Sequence, residues 1–172
     1  MRIWTVKRWR LMGILTALGL LLAGGISRAD LTAQVVKKYR GEILITDTGL
    51  DLSVLGDSKR TIKACEERKL TAVKHEEGGT PTWTFHYTAF LTAKPRVSTL
   101  TLEFYYDMPG EGLELRADKS LVGVDRTLKI LQGRISISED DNVSAGKTYV
   151  VKLVDNVGRK SKTYATTKLT FK

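Results

Sequence analysis

The chain has 172 residues and a formal net charge of +9, with one Cys and two His residues. A single Cys excludes an intramolecular disulfide, and a chain of this length can bury a sufficient core without one. Five of the 28 Lys and Arg residues but none of the 19 Asp and Glu residues lie in the first 29 positions, which leaves only +4 for the remainder. Because the remainder has no dense Lys/Arg run, its charge does not predict nucleic-acid binding.

Residues 1–29 have the three parts of a secretory signal peptide. A basic start is followed by the apolar segment Leu11–Ile26, and Ser27 and Ala29 place small residues at a cleavage site before Asp30. The alternative is an uncleaved membrane anchor, but the 16 residues of the apolar segment fall short of the roughly 20 that a spanning helix needs. We therefore predict export to the periplasm or the outside of the cell, one domain over residues 30–172, and no membrane span after cleavage.

The start of the exported part has little apolar periodicity. Residues 30–40 are predicted to be a loosely held lead-in. Glu42–Asp47 is short and β-branched, which predicts a strand. Leu50, Leu52 and Val54 alternate with polar residues, which indicates a second short strand.

One helix is predicted, from Asp57–Ser58 to about Lys69. Asp and Ser are good N-cap residues because their side-chain oxygens accept the free N–H groups of the first turn. Ile62 and Cys65 would face inward. In an exported protein the single Cys65 is either a buried small apolar residue or an intermolecular link, and free Cys is among the most buried residue types.

Two long alternating runs, Trp83–Ala93 and Val97–Tyr106, occupy the centre of the chain. A period of two with aromatic and β-branched residues is typical of strands. We predict that the two runs form an antiparallel pair on a core, joined at Lys94–Arg96. Their apolar faces consist of Trp83, Phe85, Tyr87, Ala89 and Leu91 in the first run, and Leu100, Leu102, Phe104 and Tyr106 in the second.

Leu70–His75 is predicted to pair with the run that begins at Trp83, through a Gly/Pro turn at residues 76–81. In that register Ala72 opposes Phe85, and the apolar residues of both strands share one face. His86 and Phe90 then fall on the outer face.

The second half of the chain is predicted to add further short strands between turns rich in Gly, Pro, Asp and Asn. The last one alternates Lys residues along one face, which is typical of an exposed sheet edge. The spacing predicts an all-β fold, an antiparallel β-sandwich of about eight to nine strands with at most one short helix. The strands lie at Leu113–Ala117, Thr127–Leu131, Arg134–Ser138, Lys147–Asp155 and Lys160–Phe171.

The segment Val143–Tyr149 resembles the corner before the penultimate strand of fibronectin type III domains. In that family a Leu-x-Pro-Gly-x-x-Tyr pattern directs the Tyr hydroxyl to upstream backbone; here Val143 stands for the Leu and Ala145 for the Pro. The following residues, Tyr149–Gly158, are similar to that family's strand, turn and last strand. The resemblance implies an immunoglobulin-like sandwich, a fold that hosts many unrelated functions.

The sequence predicts no catalytic set and no cofactor site. Ser144 and Lys147 have the Ser-x-x-Lys spacing of penicillin-interacting enzymes without their two other motifs. His75 and His86 are the only imidazoles, and neither has a nucleophile and an orienting group nearby in sequence. A weak metal candidate is the acidic run Glu139, Asp140 and Asp141, whose oxygens suit Ca²⁺ but lack the spacing that wraps an ion.

By alternation, Phe90, Tyr105 and Tyr164 would lie on outer faces. Exposed aromatic side chains stack on sugars or anchor protein partners, so these three residues form the candidate binding face. The first hypothesis is a non-enzymatic interaction or structural module whose partner is an envelope or extracellular protein or a glycan. The alternative is a small exported hydrolase or inhibitor-like protein whose site residues are dispersed along the chain.

Overall fold

The computed structural model describes residues 33–52, 58–76, 78–157 and 160–172. The predicted signal peptide, its cleavage site and Val54 lie outside these residues. Within the described ranges, none of the helices has the length and apolar character needed to cross a membrane.

The prediction of a mostly β fold is confirmed, with eight strands in two sheets in this part of the chain. The helices are α1 Ala33–Lys38 and α2 Ser58–Arg68, and a 3-10 turn covers Glu139–Asp141. The strands are β1 Ile43–Thr46, β2 Ala72–Val73, β3 Thr82–Phe90, β4 Thr99–Met108, β5 Gly112–Val122, β6 Ile130–Ser138, β7 Thr148–Asp155 and β8 Lys162–Phe171.

The strands form a three-stranded sheet in the order β1-β3-β6 and a five-stranded sheet in the order β2-β8-β7-β4-β5. Neighbours are antiparallel except β2 and β8, which are parallel. The predicted apolar faces of β3 and β4 are confirmed, since Trp83, Phe85, Leu102 and Phe104 are buried in one core cluster between the sheets. Burial of these two facing stripes is the main stabilisation of the fold.

The predicted pairing of β3 with β4 is wrong. The two strands belong to different sheets, and residues 91–98 carry the chain across the core. Alternation shows that each strand has one apolar face. It does not show whether two such strands are neighbours in one sheet or lie in opposite sheets across the core. Here they lie in opposite sheets, and Phe85 of β3 and Phe104 of β4 both contact Phe171 of β8.

The predicted pairing of Leu70–His75 with β3 is also wrong. The turn closes as expected, with the Glu76 N–H donating to the Thr82 carbonyl at 2.8 Å. Before that turn, however, Ala72–Val73 pairs in parallel with the end of β8. The His75 N–H also donates to the Lys172 carbonyl at 2.9 Å. Hydrogen bonds to the C-terminal residues therefore place this segment in the larger sheet.

Two boundaries in the second half of the chain differ from the prediction. The pieces expected at Thr127–Leu131 and Arg134–Ser138 form the single strand β6, because Gly133 continues the ladder opposite Tyr87. The last strand is not an open edge along its whole length, since β2 pairs with it at Thr170.

Helices cover the outer face of the three-stranded sheet, so the lead-in and single-helix predictions are wrong. Residues 33–38 form α1, and Val35 is buried. A six-residue helix is marginal alone, so tertiary burial rather than helix propensity stabilises it. α2 is confirmed, with Cys65 buried as predicted. Leu50 and Leu52 are not in a strand but pack in this second cluster.

A β-bulge places Tyr164 inside the protein. Leu153 pairs with Ala165 whereas Val154 pairs with Thr163, so Tyr164 is an extra residue without a partner on β7. A bulge re-aims a side chain. Both Tyr164 and Ala165 are buried, and the Tyr164 hydroxyl donates to Asp155 Oδ2 at 2.6 Å.

The corner before β7 is fixed by a tyrosine hydroxyl. The Ser144 N–H donates to Tyr149 Oη at 2.9 Å, and Tyr149 is buried. Tyr149→Phe should lower the free energy of unfolding by about 1 kcal/mol, since it leaves this N–H without its acceptor. Urea denaturation measures the change.

The matched control is Tyr106→Phe. The Tyr106 ring packs against Tyr149 with centroids 5.9 Å apart, but its hydroxyl has no hydrogen bond to the part of the chain that the structure describes. We expect little change in this variant. Equal losses in the two variants would contradict a stabilising role of the corner.

Candidate functional site

The three aromatic residues of the predicted binding face do not come together. Phe90 is fully buried beneath the helices, with its ring centroid 5.3 Å from that of Tyr39. Tyr164 is fully buried at the bulge. The prediction that these two side chains are exposed is therefore wrong, because it assumed an uncovered sheet and an unbroken alternation.

Tyr105 does lie on the outer face of the five-stranded sheet. Neighbouring side chains there already contact both its hydroxyl and its ring. Its hydroxyl donates to Glu103 Oε2 at 2.7 Å, and Asn156 Nδ2 donates to the other oxygen of that carboxylate at 3.1 Å. Lys152 Nζ is 4.4 Å from the ring centroid. Burial, together with the Glu103 carboxylate, raises the pKa of Tyr105 to about 12. This network holds the ring within the sheet surface.

The acidic run does not converge on one point. Asp141 accepts bonds from Lys119 Nζ, at 2.8 Å to each carboxylate oxygen, and from the Ser138 N–H at 3.0 Å. Glu139 and Asp140 are exposed. Among the residues that the structure places, no three His, Cys, Asp or Glu side chains are grouped as metal ligands.

The two imidazoles and the thiol belong to three different elements or loops of the fold. His75 is exposed after β2, with its Nδ1 3.0 Å from the Glu76 carbonyl oxygen. His86 lies in the middle of β3, between Thr46 of β1 and Arg134 of β6. Cys65 lies on the buried face of α2, and burial raises the pKa of its thiol to about 11. Among the described residues, neither imidazole forms a hydrogen bond with Cys65 or with a carboxylate.

A different site lies where the two sheets end on the same side of the core. The cavity there, which we call the edge groove, has a volume of about 580 Å³. This volume is within the range of about 300–1,000 Å³ that is usual for ligand cavities. Apolar side chains form somewhat more than half of its lining, and the polar residues there are Ser120, Asp125 and Gln132. Lining residues include Tyr87, Leu121, Val124, Leu128, Leu131 and Gln132.

The edge groove exists because the sheets differ in width. β6 is the last strand of the smaller sheet, whereas β5 extends the larger sheet past it. Leu121 on β5, as well as Leu128 in the following loop, is therefore only partly buried. At one end Lys119 on β5 bonds Asp141, which joins the two sheets across the gap.

The outer edge of β6 carries free backbone groups. The Leu91 N–H donates to the Lys129 carbonyl, and the Glu139 N–H donates to the Pro81 carbonyl. In an antiparallel ladder the bonded pairs alternate, so the odd-numbered residues of β6 bond β3. Those that direct their N–H and C=O groups away from β3 are Gln132, Arg134 and Ser136. Within the described ranges no strand pairs with this edge.

Tyr87 is a largely buried residue whose hydroxyl has no hydrogen bond within the described ranges but is not closed off from solvent. Tyr87 is 6% exposed, and its ring crosses Gly133, where an added Cβ would lie 2.7 Å from the hydroxyl oxygen. Among the residues described, nothing forms a hydrogen bond with this hydroxyl. Burial raises the pKa of Tyr87 to about 12, so the hydroxyl stays protonated.

Sequence reasoning missed this site. It placed Tyr87 correctly in the core but attached no ligand to it. The available signal was Gly133, since a Gly inside a strand often marks a close approach of another group. The free edge of β6 could not be predicted from the sequence, because it depends on the order of the strands in the sheet.

No protein-family model, no curated protein and no solved structure matches this chain.

Proposed function

We propose that this chain is an exported, non-enzymatic immunoglobulin-like β-sandwich protein that acts as a protein-binding module of the cell envelope or secretome. The edge groove is its binding site. The observation that carries this proposal is the coincidence of a partly apolar cavity, a free strand edge and the Tyr87 hydroxyl, which has no hydrogen bond to a described residue. Pockets with convergent polar groups in an apolar lining are the default binding sites of proteins.

Strand order supports the immunoglobulin-like assignment. Immunoglobulin-like domains pack two antiparallel sheets, in which the second strand pairs with the fifth and the third pairs with the sixth. If the two-residue β2 is set aside, β1 to β8 have these two pairings, whereas the fourth strand, β5, pairs with the third instead of the fifth. The Tyr149 hydroxyl bond at the start of β7 corresponds to the tyrosine corner of these domains.

The signal-peptide pattern supports export, and Cys65 is compatible with it. An exported protein meets oxidising conditions, and Cys65 is fully buried, so it needs no disulfide partner.

The lack of hydrogen bonds among the reactive groups that the structure describes supports a non-enzymatic role. A hydrolase needs a nucleophile, a base and an orienting group within hydrogen-bond reach. In the part that the structure describes, His75 bonds a backbone carbonyl, and no carboxylate bonds His86.

Photo-crosslinking in cells tests the proposed function. A photoreactive amino acid replaces Val122, which is 79% exposed at the rim of the edge groove, in the full chain. We expect adducts with one or a few exported proteins, identified by mass spectrometry.

The matched control replaces Leu113, which is 44% exposed at the other end of the same strand. The same adducts from both positions, or no adduct from Val122, would rule out the edge groove as a binding site.

The purified protein should also begin at Asp30, and retention of residues 1–29 would contradict signal cleavage.

A further inference from the structure

The inference rests on the proposed function and names the form of the partner. We propose that an extended peptide segment of the partner adds to β6 as a new strand, inserts an apolar side chain into the edge groove and places an acidic residue beside Arg134. The smaller sheet would then gain a fourth strand opposite β5.

Backbone chemistry favours a strand over a compact ligand. Gln132, Arg134 and Ser136 present alternate N–H and C=O groups along one line, which is the pattern that a β-strand satisfies in strand addition. The other edge of β6, formed by its odd-numbered residues, is already hydrogen-bonded to β3.

Side-chain period connects this edge to the cavity. Alternate residues of an added strand point to the same face, so every second side chain would face the core. Such a side chain, opposite Gly133 or Ile135 on β6, would meet Leu121 across the gap, because Leu121 lines the edge groove. The Tyr87 hydroxyl lies over Gly133 and can bond a polar atom of the incoming segment.

Charge on the outer face of β6 favours an acidic neighbour. Arg134 is exposed and forms no ion pair with any residue that the structure describes. Opposite charges directly across two strands attract each other. The incoming residue opposite Arg134 is therefore Asp or Glu, and salt should weaken binding.

Random dodecapeptides displayed on phage serve as the probe. They are selected against the protein purified from the exported fraction of cells that make the full chain. We expect the enriched sequences to have apolar residues at alternate positions and an acidic residue between them. A failure to enrich any sequence over an unrelated exported protein would overturn the proposal.

The best peptide is then measured by fluorescence anisotropy against three variants. Arg134→Pro removes an edge N–H that β3 does not use, and Pro is tolerated at such positions; binding should weaken at least tenfold. Arg134→Ala keeps the backbone N–H but removes the guanidinium and should weaken binding several-fold. Leu128→Trp fills the cavity and should also weaken binding at least tenfold.

A peptide with alternate backbone nitrogens methylated keeps its side chains but loses the N–H donors. It should bind the unchanged protein at least tenfold more weakly, and this arm still decides the question if Arg134→Pro does not fold. Binding that is sensitive to Leu128→Trp but insensitive to both Arg134→Pro and methylation would identify a site for compact apolar ligands and overturn strand addition. A Val122 adduct that persists unchanged in Arg134→Pro would likewise overturn strand addition while leaving the proposed function standing.

Discussion

Trp83→Ala should lower the free energy of unfolding by about 3–5 kcal/mol, the usual cost of removing a fully buried aromatic side chain. The Trp83 side chain is fully buried between the sheets. Its ring centroid lies 4.8 Å from that of Phe171, and its Nε1–H donates to the Lys172 carbonyl at 3.0 Å. Truncation would leave a cavity, remove this bond and loosen the contact between β3 and the C-terminal strand. Urea denaturation followed by circular dichroism measures the loss.

Two further variants separate packing from hydrogen bonding. Trp83→Phe keeps most of the ring but loses the Nε1–H donor, so we expect a smaller loss than for Ala. Val122→Ala trims a side chain that is 79% exposed and should change stability by no more than about 0.5 kcal/mol. A loss below about 1 kcal/mol for Trp83→Ala would show that this ring does not belong to the core.

Trp83 also shows what the sequence predicts reliably. Its alternation with Phe85 and Tyr87 identified the buried face of β3, because a strand has a period of two and one face meets the core. The same argument identified the buried face of β4. It could not identify strand partners, since side-by-side and face-to-face arrangements produce the same pattern.

Phe90 and Tyr164 show where alternation fails in physical terms. The second face of β3 is buried at Phe90 because α1 and α2 cover it, and the six-residue α1 has too weak a local signal to be predicted. At Tyr164 one inserted residue reverses the faces of β8. A bulge is decided by the pairing of two strands, which one strand's sequence does not contain.

The candidate site was the least predictable part. Its components, Tyr87, Leu121 and Gly133, are distant in sequence, and none has a reactive side chain that marks a motif. They form a site because the smaller sheet stops at β6 and the larger continues to β5. Sheet width is a property of the assembled fold, so only the structure reveals it.

The largest polar contribution to stability should come from Asp155. Its carboxylate is fully buried and accepts a 2.8 Å bond from Arg96 Nε, a second short bond from the same guanidinium and the Tyr164 hydroxyl bond at 2.6 Å. The backbone N–H of Arg96 donates in turn to Tyr164 Oη at 3.0 Å. This network connects the segment that crosses between β3 and β4 to the β7–β8 end.

Asp155→Ala should lower the free energy of unfolding by about 2–4 kcal/mol, because several charge-assisted bonds disappear and the Tyr164 hydroxyl loses its acceptor. The control is Asp118→Ala, which removes an exposed carboxylate of β5 and should change stability by about 0.5 kcal/mol or less. Similar losses in the two variants would contradict a stabilising role of the network. Tyr164→Phe removes one bond only and should lie between them.

The pH dependence of stability gives an independent test of the same network. Bonding to Arg96 lowers the pKa of Asp155 to about 2, whereas an unfolded Asp titrates near about 3.9. A group with a lowered folded-state pKa stabilises the fold above its unfolded pKa, and that stabilisation is lost as the pH falls through the folded-state value. The difference in unfolding free energy between the natural protein and Asp155→Asn should therefore be constant above about pH 5 and shrink between about pH 4 and pH 2. A difference that stays constant down to pH 2 would mean that Asp155 is not held as a carboxylate by Arg96.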